Sequence, residues 1–356
     1  NSNNADNCVD ANGPFGYMSE AAATNIILQS NNLDTTSTVV NAIPMARSTT
    51  PSSIPSEMLW TLQDDSSGSM RNVSVLQSFT VATATTYTFS FEAKADQLDW
   101  CALVVANLTD PVDGTAYFDL ASGVVGTAEA TFDSTGIEVL PDGKCRCFGV
   151  FTTTTDTTGT VFLRCANSDG DDTVARDGTS SILFGLMQLE ASSFPTSYIP
   201  TTTVSVTRNA DVLTYDDAGN IEDAAGTAYC EISSNWNSQS AQRYALSRFG
   251  NGYFPRATTT SSSVASYDGT NFSLSPSGTS FYGTPQKTAT TWGDALTAYS
   301  PAALQPDASP ALYDGTIGTG DIGVGSSNGG TNQWDGTIRN VQIYSTELTA
   351  AEVQDI

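Results

Sequence analysis

Three carboxylates lie close together in the stretch Asn167–Asp172, which reads NSDGDD. Asp169, Asp171 and Asp172 surround Gly170, and oxygen-rich turns of this kind supply the ligands that Ca²⁺ prefers. The stretch lacks the twelve-residue spacing and terminal glutamate of an EF-hand, and a solvated loop tip is the alternative interpretation. We therefore take these three aspartates as the candidate metal site, with Ca²⁺ as the candidate cofactor and no other cofactor expected.

Catalytic side chains of the common kinds are missing from the chain. It contains no histidine, which removes the most frequent general base, the usual zinc ligand and any Ser-His-Asp triad. Retaining glycoside hydrolysis requires two carboxyl groups about 5 Å apart on one face. No Glu-x-Asp-x-x-Glu strand supplies such a pair. We therefore expect a protein that is not an enzyme, and a polysaccharide-degrading enzyme is the least favoured alternative.

Aromatic residues next to amides are the candidates for binding sugars, because a sugar packs on a ring and its hydroxyls bond to planar polar groups. Trp236 stands between Asn235 and Asn237, and Trp334 follows an Asn-Gln pair, so we expect both tryptophans in solvated loops. The predicted glycan-binding residues are Trp236, Trp334, Asn235, Asn237, Tyr253 and Tyr282.

Further aromatic candidates occur in the first half of the chain. Trp100 and Tyr117 could also serve a sugar site. Trp100 lies in an apolar strand, as does Trp60, and such residues are usually core. We therefore expect both of these tryptophans inside the fold and favour the second half of the chain for the site.

The composition argues against two kinds of partner, nucleic acid and the interior of a membrane. Asp and Glu total 38 against 13 Lys and Arg, and the net charge of −25 should repel nucleic acid. No run of 18 apolar residues is present, so we expect no membrane insertion, and no signal peptide is recognisable. Six cysteines form no CxxC pair. Buried free thiols are expected, and a disulfide among Cys101, Cys147 and Cys165 is the alternative.

Short alternating segments predict an all-β protein. A length of 356 residues suggests two domains. Thr86–Ala93 places Tyr87, Phe89 and Phe91 on one face, which is the period of a half-buried strand. Trp100–Ala106 is continuously apolar, as in a central strand. About nine such segments at 8- to 12-residue spacing predict an antiparallel β-sandwich or jelly roll in the first half.

The segment Gln188–Asp211, with SFPTSYIPTT at its centre, resembles a segment of bacteriophage virion proteins, where it ends one jelly-roll module and leads into another. TYTFSFEAKA at residues 86–95 and AYFDLASGVVGT at residues 116–127 match the same module. The resemblance covers nearly all of residues 17–208 and implies a jelly roll of the carbohydrate-binding-module kind.

The end of the chain resembles the last strand of laminin-G-like or concanavalin-A-like lectin sandwiches. Gly336, Ile338, Val341, Ile343 and Tyr344 match that pattern, and a short helix is expected at residues 348–354. The predicted organisation is therefore two antiparallel β-sandwich domains in tandem: an N-terminal arm at 1–16, a jelly roll at 17–208 and a lectin-like domain at 209–356.

These resemblances imply a non-enzymatic protein of a phage virion surface, and therefore an extracellular one. A tail fibre, spike or head fibre would bind host-surface or environmental glycans and contact other virion structural proteins. The alternative is a capsid decoration protein whose sandwiches contact only virion subunits. Fibre proteins of this kind are commonly trimers, so the resemblance implies a homotrimer, although the sequence contains no heptad run.

Overall fold

A computed structural model describes residues 9–10, 13–14, 16–34, 38–237, 241–248, 253–257, 262–327 and 331–356. The chain divides into two compact units. The jelly-roll module comprises residues 23–208, and the C-terminal module comprises residues 1–22 together with 209–356.

A boundary was predicted after residue 208, and this division has one there. Residues 17–22 were predicted in the jelly roll, whereas this division groups them with residues 209–356. Tyr17–Ser19 is a strand of the C-terminal module and pairs with the strand Gly336–Tyr344. Tyr17, Met18 and Ser19 carry no local signal of this pairing, because their partner strand lies more than 300 residues away in the sequence. The strands before residue 23 are β1 (Val9–Asp10), β2 (Gly13–Pro14) and β3 (Tyr17–Ser19).

Fourteen strands form the described part of the jelly-roll module. They are β4 (Ala23–Asn25), β5 (Thr38–Val40), β6 (Ala46–Pro51), β7 (Met58–Gln63), β8 (Ser74–Thr80), β9 (Thr86–Ala95), β10 (Trp100–Ala106), β11 (Gly114–Asp119), β12 (Val124–Ala128), β13 (Ser134–Leu140), β14 (Lys144–Thr152), β15 (Thr158–Ala166), β16 (Ser181–Glu190) and β17 (Val206–Arg208). The front sheet has the order β12-β11-β10-β15-β8-β5, and the back sheet has the order β13-β14-β9-β16-β7-β6. All of these neighbours pair antiparallel.

The core of this module lies between the two sheets. Phe89 and Phe91 of the back sheet and Phe118 of the front sheet are fully buried there. Trp60 is buried in the same cluster, as expected. The five described cysteines are free and buried, which confirms that expectation for them. Burial of this apolar surface, at roughly 25 cal/mol per Å², is the main stabilising term.

The SFPTSYIPTT segment closes the jelly-roll module through buried polar contacts. Asn25 donates to the carbonyls of Met187 and Ile199 and accepts from the amides of Ile27 and Leu189. These four hydrogen bonds connect β4, β16 and the SFPTSYIPTT segment. The motif that resembles the phage module therefore has a structural role in this chain.

A second set of buried hydrogen bonds, made by Glu190 and Gln188, holds the same segment. Glu190 is fully buried and accepts from the amide and hydroxyl of Thr196 at 2.8 and 2.7 Å. Gln188 donates to Glu190 and accepts from the amide of Ile199. Burial raises the pKa of the Glu190 carboxyl despite these donors.

The C-terminal module adds eleven strands and one helix within the described residues. They are β18 (Leu213–Tyr215), β19 (Gly226–Ser234), β20 (Arg243–Tyr244), β21 (Leu246–Arg248), β22 (Tyr253–Ala257), β23 (Val264–Tyr267), β24 (Phe272–Leu274), β25 (Gln286–Trp292), β26 (Thr297–Tyr299), β27 (Ile322–Val324), β28 (Gly336–Tyr344) and α1 (Ala350–Gln354). One sheet has the order β18-β27-β21-β22-β23-β24, with β20 beside β22, and the other has the order β26-β25-β19-β28-β3.

The predicted all-β class is confirmed, and so is the short C-terminal helix. A capping box starts that helix: the Thr349 hydroxyl accepts from the Glu352 amide, and the Glu352 carboxylate accepts from the Thr349 amide. Among the described residues, no helix is long and apolar enough to span a membrane.

Candidate functional site

The outward side of the front sheet carries a group of aromatic residues. Trp100 and Ala102 on β10, Tyr117 on β11 and Ala166 on β15 pack together there, apart from the core between the sheets. Their neighbours Cys101, Phe118 and Cys165 point inward, because successive side chains of a strand alternate between faces. We call Trp100, Tyr117, Phe162 and Arg164 the aromatic face.

Strand register brings the members of the aromatic face together. Ala102 pairs with Tyr117 on one side and with Arg164 on the other. Its small side chain leaves room between these two larger ones, and Trp100 lies two residues along the same strand. Val104 pairs with Phe162 in the same way. The face thus spans three neighbouring strands.

Arg164 is the charged member of the aromatic face. Its guanidinium lies 5.1 Å from the centroid of the Phe162 ring and forms an ion pair with Asp172. The planar guanidinium presents donors in a fixed geometry. Within the part of the chain that the structure describes, the buried Arg164 Nε atom has no hydrogen-bond partner. The Arg164–Asp172 ion pair therefore lies beside the Phe162 ring.

Tyr117 adds a hydroxyl that stays protonated near neutral pH. Burial raises the pKa of this phenol, and the carboxylates of Asp172 and Glu129 raise it further. Trp100 is half-buried, which corrects the expectation that it belongs to the inner core. The face therefore offers a half-buried indole, a paired guanidinium and the neutral phenol of a tyrosine that is only 8% exposed.

The acidic loop at residues 167–172 holds the edge of this face. Asp169 accepts from the Thr127 amide at 2.7 Å and from the Thr127 hydroxyl at 3.0 Å. Gly126 lies so close that an added Cβ would be 2.7 Å from the Trp100 ring and 2.5 Å from Asp169. A glycine is therefore required where β12 passes the indole.

The three aspartates predicted as a metal site, Asp169, Asp171 and Asp172, each accept hydrogen bonds from other groups of the protein. Asp169 is held by Thr127 and Asp172 by Arg164. Asp171 accepts from the amide and hydroxyl of Thr173, and these bonds lower the pKa of its carboxyl. Each carboxylate has its own partner, and a metal-binding role for the three stays a prediction. The sequence shows their proximity along the chain but not the donors that arrive from other strands.

We expect Ca²⁺ to leave this loop unchanged. Titrating the full chain with CaCl₂ to about 5 mM should not shift the amide resonances of residues 167–172, because a cation would have to displace three existing sets of hydrogen bonds. Asp169→Ala, which frees Thr127, is the comparison that should shift the Thr127 and Trp100 signals. Saturable Ca²⁺ shifts in residues 167–172 would restore the metal site.

The described residues do bring one other set of carboxylates together: Asp216, Asp217 and Asp321 in the C-terminal module. Asp217 bonds to Arg248 at 2.6 Å, and this contact lowers the pKa of the Asp217 carboxyl. The Arg248 guanidinium therefore already supplies, next to Asp217, the positive charge that a metal ion would bring.

The two tryptophans predicted to bind glycans are buried, so their expected exposure is wrong. Trp236 is 2% exposed and Trp334 is 0% exposed. Their ring centroids lie 5.5 Å apart, and Phe281 lies 5.5 Å from Trp334. Trp236 donates to the Trp334 carbonyl and Trp334 donates to the Ser233 carbonyl, both at 2.7 Å. Buried indoles need such partners.

Strand pairing explains this burial. Ser234 at the end of β19 pairs with Gly336 at the start of β28. Trp236 and Trp334 flank that pair, so residues 98 positions apart meet at one end of the sheet. Their asparagine neighbours suggested solvent only because the pairing is not visible locally.

Three of the remaining predicted glycan residues lie near these tryptophans, since Asn235 and Asn237 flank Trp236 and Tyr282 forms a β-bridge with Ser234. Asn235 is half-buried and its amide donates to the Asp335 carbonyl at 3.0 Å. Asn237 is exposed, and Tyr282 is 50% exposed. Tyr253 lies in β22, and its side chain is outside the described residues. A glycan-binding role for these four stays a prediction.

The alternation of residues in β15 is a sequence signal for the aromatic face. In β15 the apolar residues Val161, Leu163 and Cys165 alternate with Phe162 and Arg164. An arginine within an otherwise apolar strand marks the face that points away from the core.

Comparisons with known proteins add little to this geometry. No family model matches the chain, and no curated protein matches it. Among solved structures, it is similar to the LG1-3 region of the laminin α2 chain at 11% identity, with a TM-score of 0.23. The match covers 82% of this chain and 63% of that one. At that score the similarity supports no assignment, and the β-sandwich modules rest on the strand pairing above.

Proposed function

We propose that this protein is a non-enzymatic glycan-binding protein and that the aromatic face of the jelly-roll module is its binding site. The observation that carries the proposal is the position of Trp100 and Tyr117 beside Arg164 on the outward side of a sheet. Trp100, Phe162 and Arg164 are half-buried there, so part of each side chain remains open to a ligand.

The chemistry of the face suits a sugar. The apolar C–H side of a pyranose packs on Trp100, while its hydroxyls bond to the Tyr117 hydroxyl and the Arg164–Asp172 pair. Charge-assisted hydrogen bonds of this type are about twice as strong as neutral ones. The ring geometry is preorganised by Gly126 and Asp169, which lowers the entropic cost of binding.

The wider setting follows from the resemblance of residues 188–211 to phage virion proteins. In this proposal the protein is a fibre, spike or head-fibre component at the virion surface, and the glycan belongs to the host surface or its surroundings. Other virion subunits are its structural partners. Capsid decoration without glycan binding is the alternative.

Trp100→Ala should weaken binding on an array of bacterial capsular and lipopolysaccharide oligosaccharides by about 10- to 100-fold, which is roughly 1.4–2.7 kcal/mol. The loss follows from removal of the largest stacking surface. Tyr117→Phe, which removes one hydroxyl, should cost less. The measurement is array binding followed by calorimetric titration of the best ligand.

Val139→Ala is the control, since Val139 is an exposed apolar residue of β13 in the back sheet. It should leave affinity unchanged. Equal affinity of Trp100→Ala and wild type for every bound glycan would refute the site, and an array with no bound glycan would refute the function.

Immunogold labelling of intact particles tests the setting separately. An antibody to residues 209–356 should label the tail tip or another projecting structure. Label spread over the head would favour decoration, and unlabelled particles would overturn the virion proposal while leaving glycan binding intact.

A further inference from the structure

An exposed carboxylate borders the indole of the aromatic face. The point beside Gly126 at which a Cβ would stand lies 2.5 Å from Asp169 Oδ1 and 2.7 Å from Cζ3 of Trp100. Asp169 is exposed and Trp100 is half-buried, so solvent reaches both residues. An anionic oxygen and an aromatic ring are therefore open to a ligand at neighbouring positions.

Backbone hydrogen bonds fix the loop that carries this carboxylate. The Asn167 amide donates to the Asp171 carbonyl at 2.8 Å, and the Asp171 amide donates to the Ser168 carbonyl at 3.2 Å. Gly170 completes the turn at a φ of +77°, a left-handed conformation that glycine adopts without strain. Two hydrogen bonds from β12 hold the Asp169 side chain itself. The carboxylate is thus in place before a ligand arrives.

The charges around the aromatic face do not balance. Asp172 pairs with Arg164. Three more carboxylates lie near the face and, in the described part of the chain, form no ion pair: Asp169, Asp171 and Glu129. Burial raises the pKa of the Tyr117 phenol, and Glu129 and Asp171 are among the carboxylates that raise it further. The resulting negative potential attracts a cationic ligand group and repels an anionic one.

The remaining hydrogen-bonding capacity of Asp169 suits an ammonium group. An ionised carboxylate has about four lone-pair sites, and within the described residues Asp169 accepts two hydrogen bonds, both from Thr127. An ammonium donates three hydrogen bonds, whereas Ca²⁺ takes about six to eight oxygen ligands. The Asp169 carboxylate can therefore receive an ammonium and keep its bonds to Thr127.

One class of sugar brings these features together. In an amino sugar without an N-acetyl group, the ammonium is attached directly to the pyranose ring. A ring that packs on Trp100 then carries its charge next to Asp169, and the indole also attracts a nearby cation. N-acetylation removes the charge, and an acidic sugar would bring a second carboxylate to a surface that is already negative.

We propose that the glycan bound by the aromatic face contains an amino sugar with a free ammonium group, which bonds to Asp169 while the pyranose ring packs on Trp100. This inference rests on the proposed glycan binding and adds the chemical class of the ligand. Glu129 and Asp171 act on the ammonium through their charge.

Calorimetric titration of the full chain with two matched ligands tests the inference. The probes are a glucosamine tetrasaccharide and its fully N-acetylated form, compared at about pH 6, where the free amines are protonated. Wild type should bind the free-amine form about 5- to 10-fold more tightly, as a partly exposed ion pair beside an indole allows. Raising NaCl from about 0.05 to 0.5 M should reduce this preference, because salt screens exposed charges.

Asp169→Asn removes the charge and keeps a side-chain oxygen for the Thr127 amide. It should bring the affinities of the two ligands to within about twofold of each other, since the ion pair is lost, and should leave the affinity for the N-acetylated form unchanged. Glu129→Gln is a second variant, in case Asp169→Asn fails to fold by circular dichroism. It keeps an acceptor for the Thr115 amide and should lower the same preference by a smaller factor.

Asp133→Asn is the matched control. Asp133 is an exposed aspartate of the same module, and it accepts a hydrogen bond at 2.7 Å from the hydroxyl of Thr152 in β14 of the back sheet. The control removes one negative charge and should keep the full preference for the free amine. Equal loss of preference in Asp133→Asn and Asp169→Asn would show that the net charge of −25 attracts amines, and would overturn the inference.

The outcomes separate this inference from the function on which it rests. Equal affinity of wild type for the two ligands, with both weakened by Trp100→Ala, would refute the amino-sugar preference and leave glycan binding by the aromatic face intact. Selective binding of array glycans that lack a free amine would refute the preference as well. Binding of neither probe and of no array glycan would refute the function, and the inference with it.

Discussion

Trp334→Ala should destabilise the C-terminal module by about 3–5 kcal/mol, the usual cost of removing a fully buried large aromatic side chain. The substitution empties the space between Trp236 and Phe281, which both contact the Trp334 ring. It also removes the indole N–H that bonds to the Ser233 carbonyl at the end of β19. Urea denaturation followed by circular dichroism measures the loss.

Tyr282→Ala provides the comparison, because Tyr282 is an aromatic residue of the same module that is 50% exposed. Its stability should stay within about 0.5 kcal/mol of wild type. An unchanged denaturation midpoint for Trp334→Ala, combined with lost glycan binding, would show that Trp334 is a surface platform after all.

Asn25→Ala should cost the jelly-roll module at least about 3 kcal/mol. The side chain is fully buried and makes four hydrogen bonds, to Ile27, Met187, Leu189 and Ile199. Alanine leaves two buried amides and two buried carbonyls without these partners, and each unsatisfied buried group costs about 1–3 kcal/mol. Differential scanning calorimetry and amide exchange of β16 measure the effect.

Thr24→Ala is the matched control at the neighbouring position. The Thr24 hydroxyl bonds to the Thr207 hydroxyl at 2.8 Å in an exposed setting, so its loss should cost no more than about 0.5 kcal/mol. If both variants unfold at the same midpoint as wild type, the closing segment is not held by the Asn25 network.

Strand positions followed from local pattern. The segment Trp100–Ala106 was predicted with the bounds that the structure has, and Thr86–Ala93 extends by only two residues to Ala95. Period two and apolar runs are properties of neighbouring residues, so they can be recognised without knowing which strands pair. The boundary after residue 208 was recognisable for a related reason, since two prolines and a threonine-rich stretch end the alternation.

Local sequence pattern predicted the candidate site only in part. Trp100 and Tyr117 were recognised as candidates but ranked below Trp236 and Trp334, because an indole in an apolar strand usually faces the core. Which face of β10 points inward depends on the back sheet, and the back sheet is assembled from strands up to 90 residues away. The partners of the acidic loop could not be predicted for the same reason, because Thr127 and Arg164 reach its carboxylates from other strands.

By itself the sequence determined an all-β chain with a polar, acidic surface, no histidine chemistry and a break near residue 208, because each of these is a local or additive property. The tertiary structure alone decided that β3 belongs with the C-terminal strands, that Trp236 and Trp334 are packed inside, and that Trp100 faces outward beside Arg164. These outcomes depend on pairing between distant strands, since the register of an antiparallel sheet assigns every side chain to the core or to solvent.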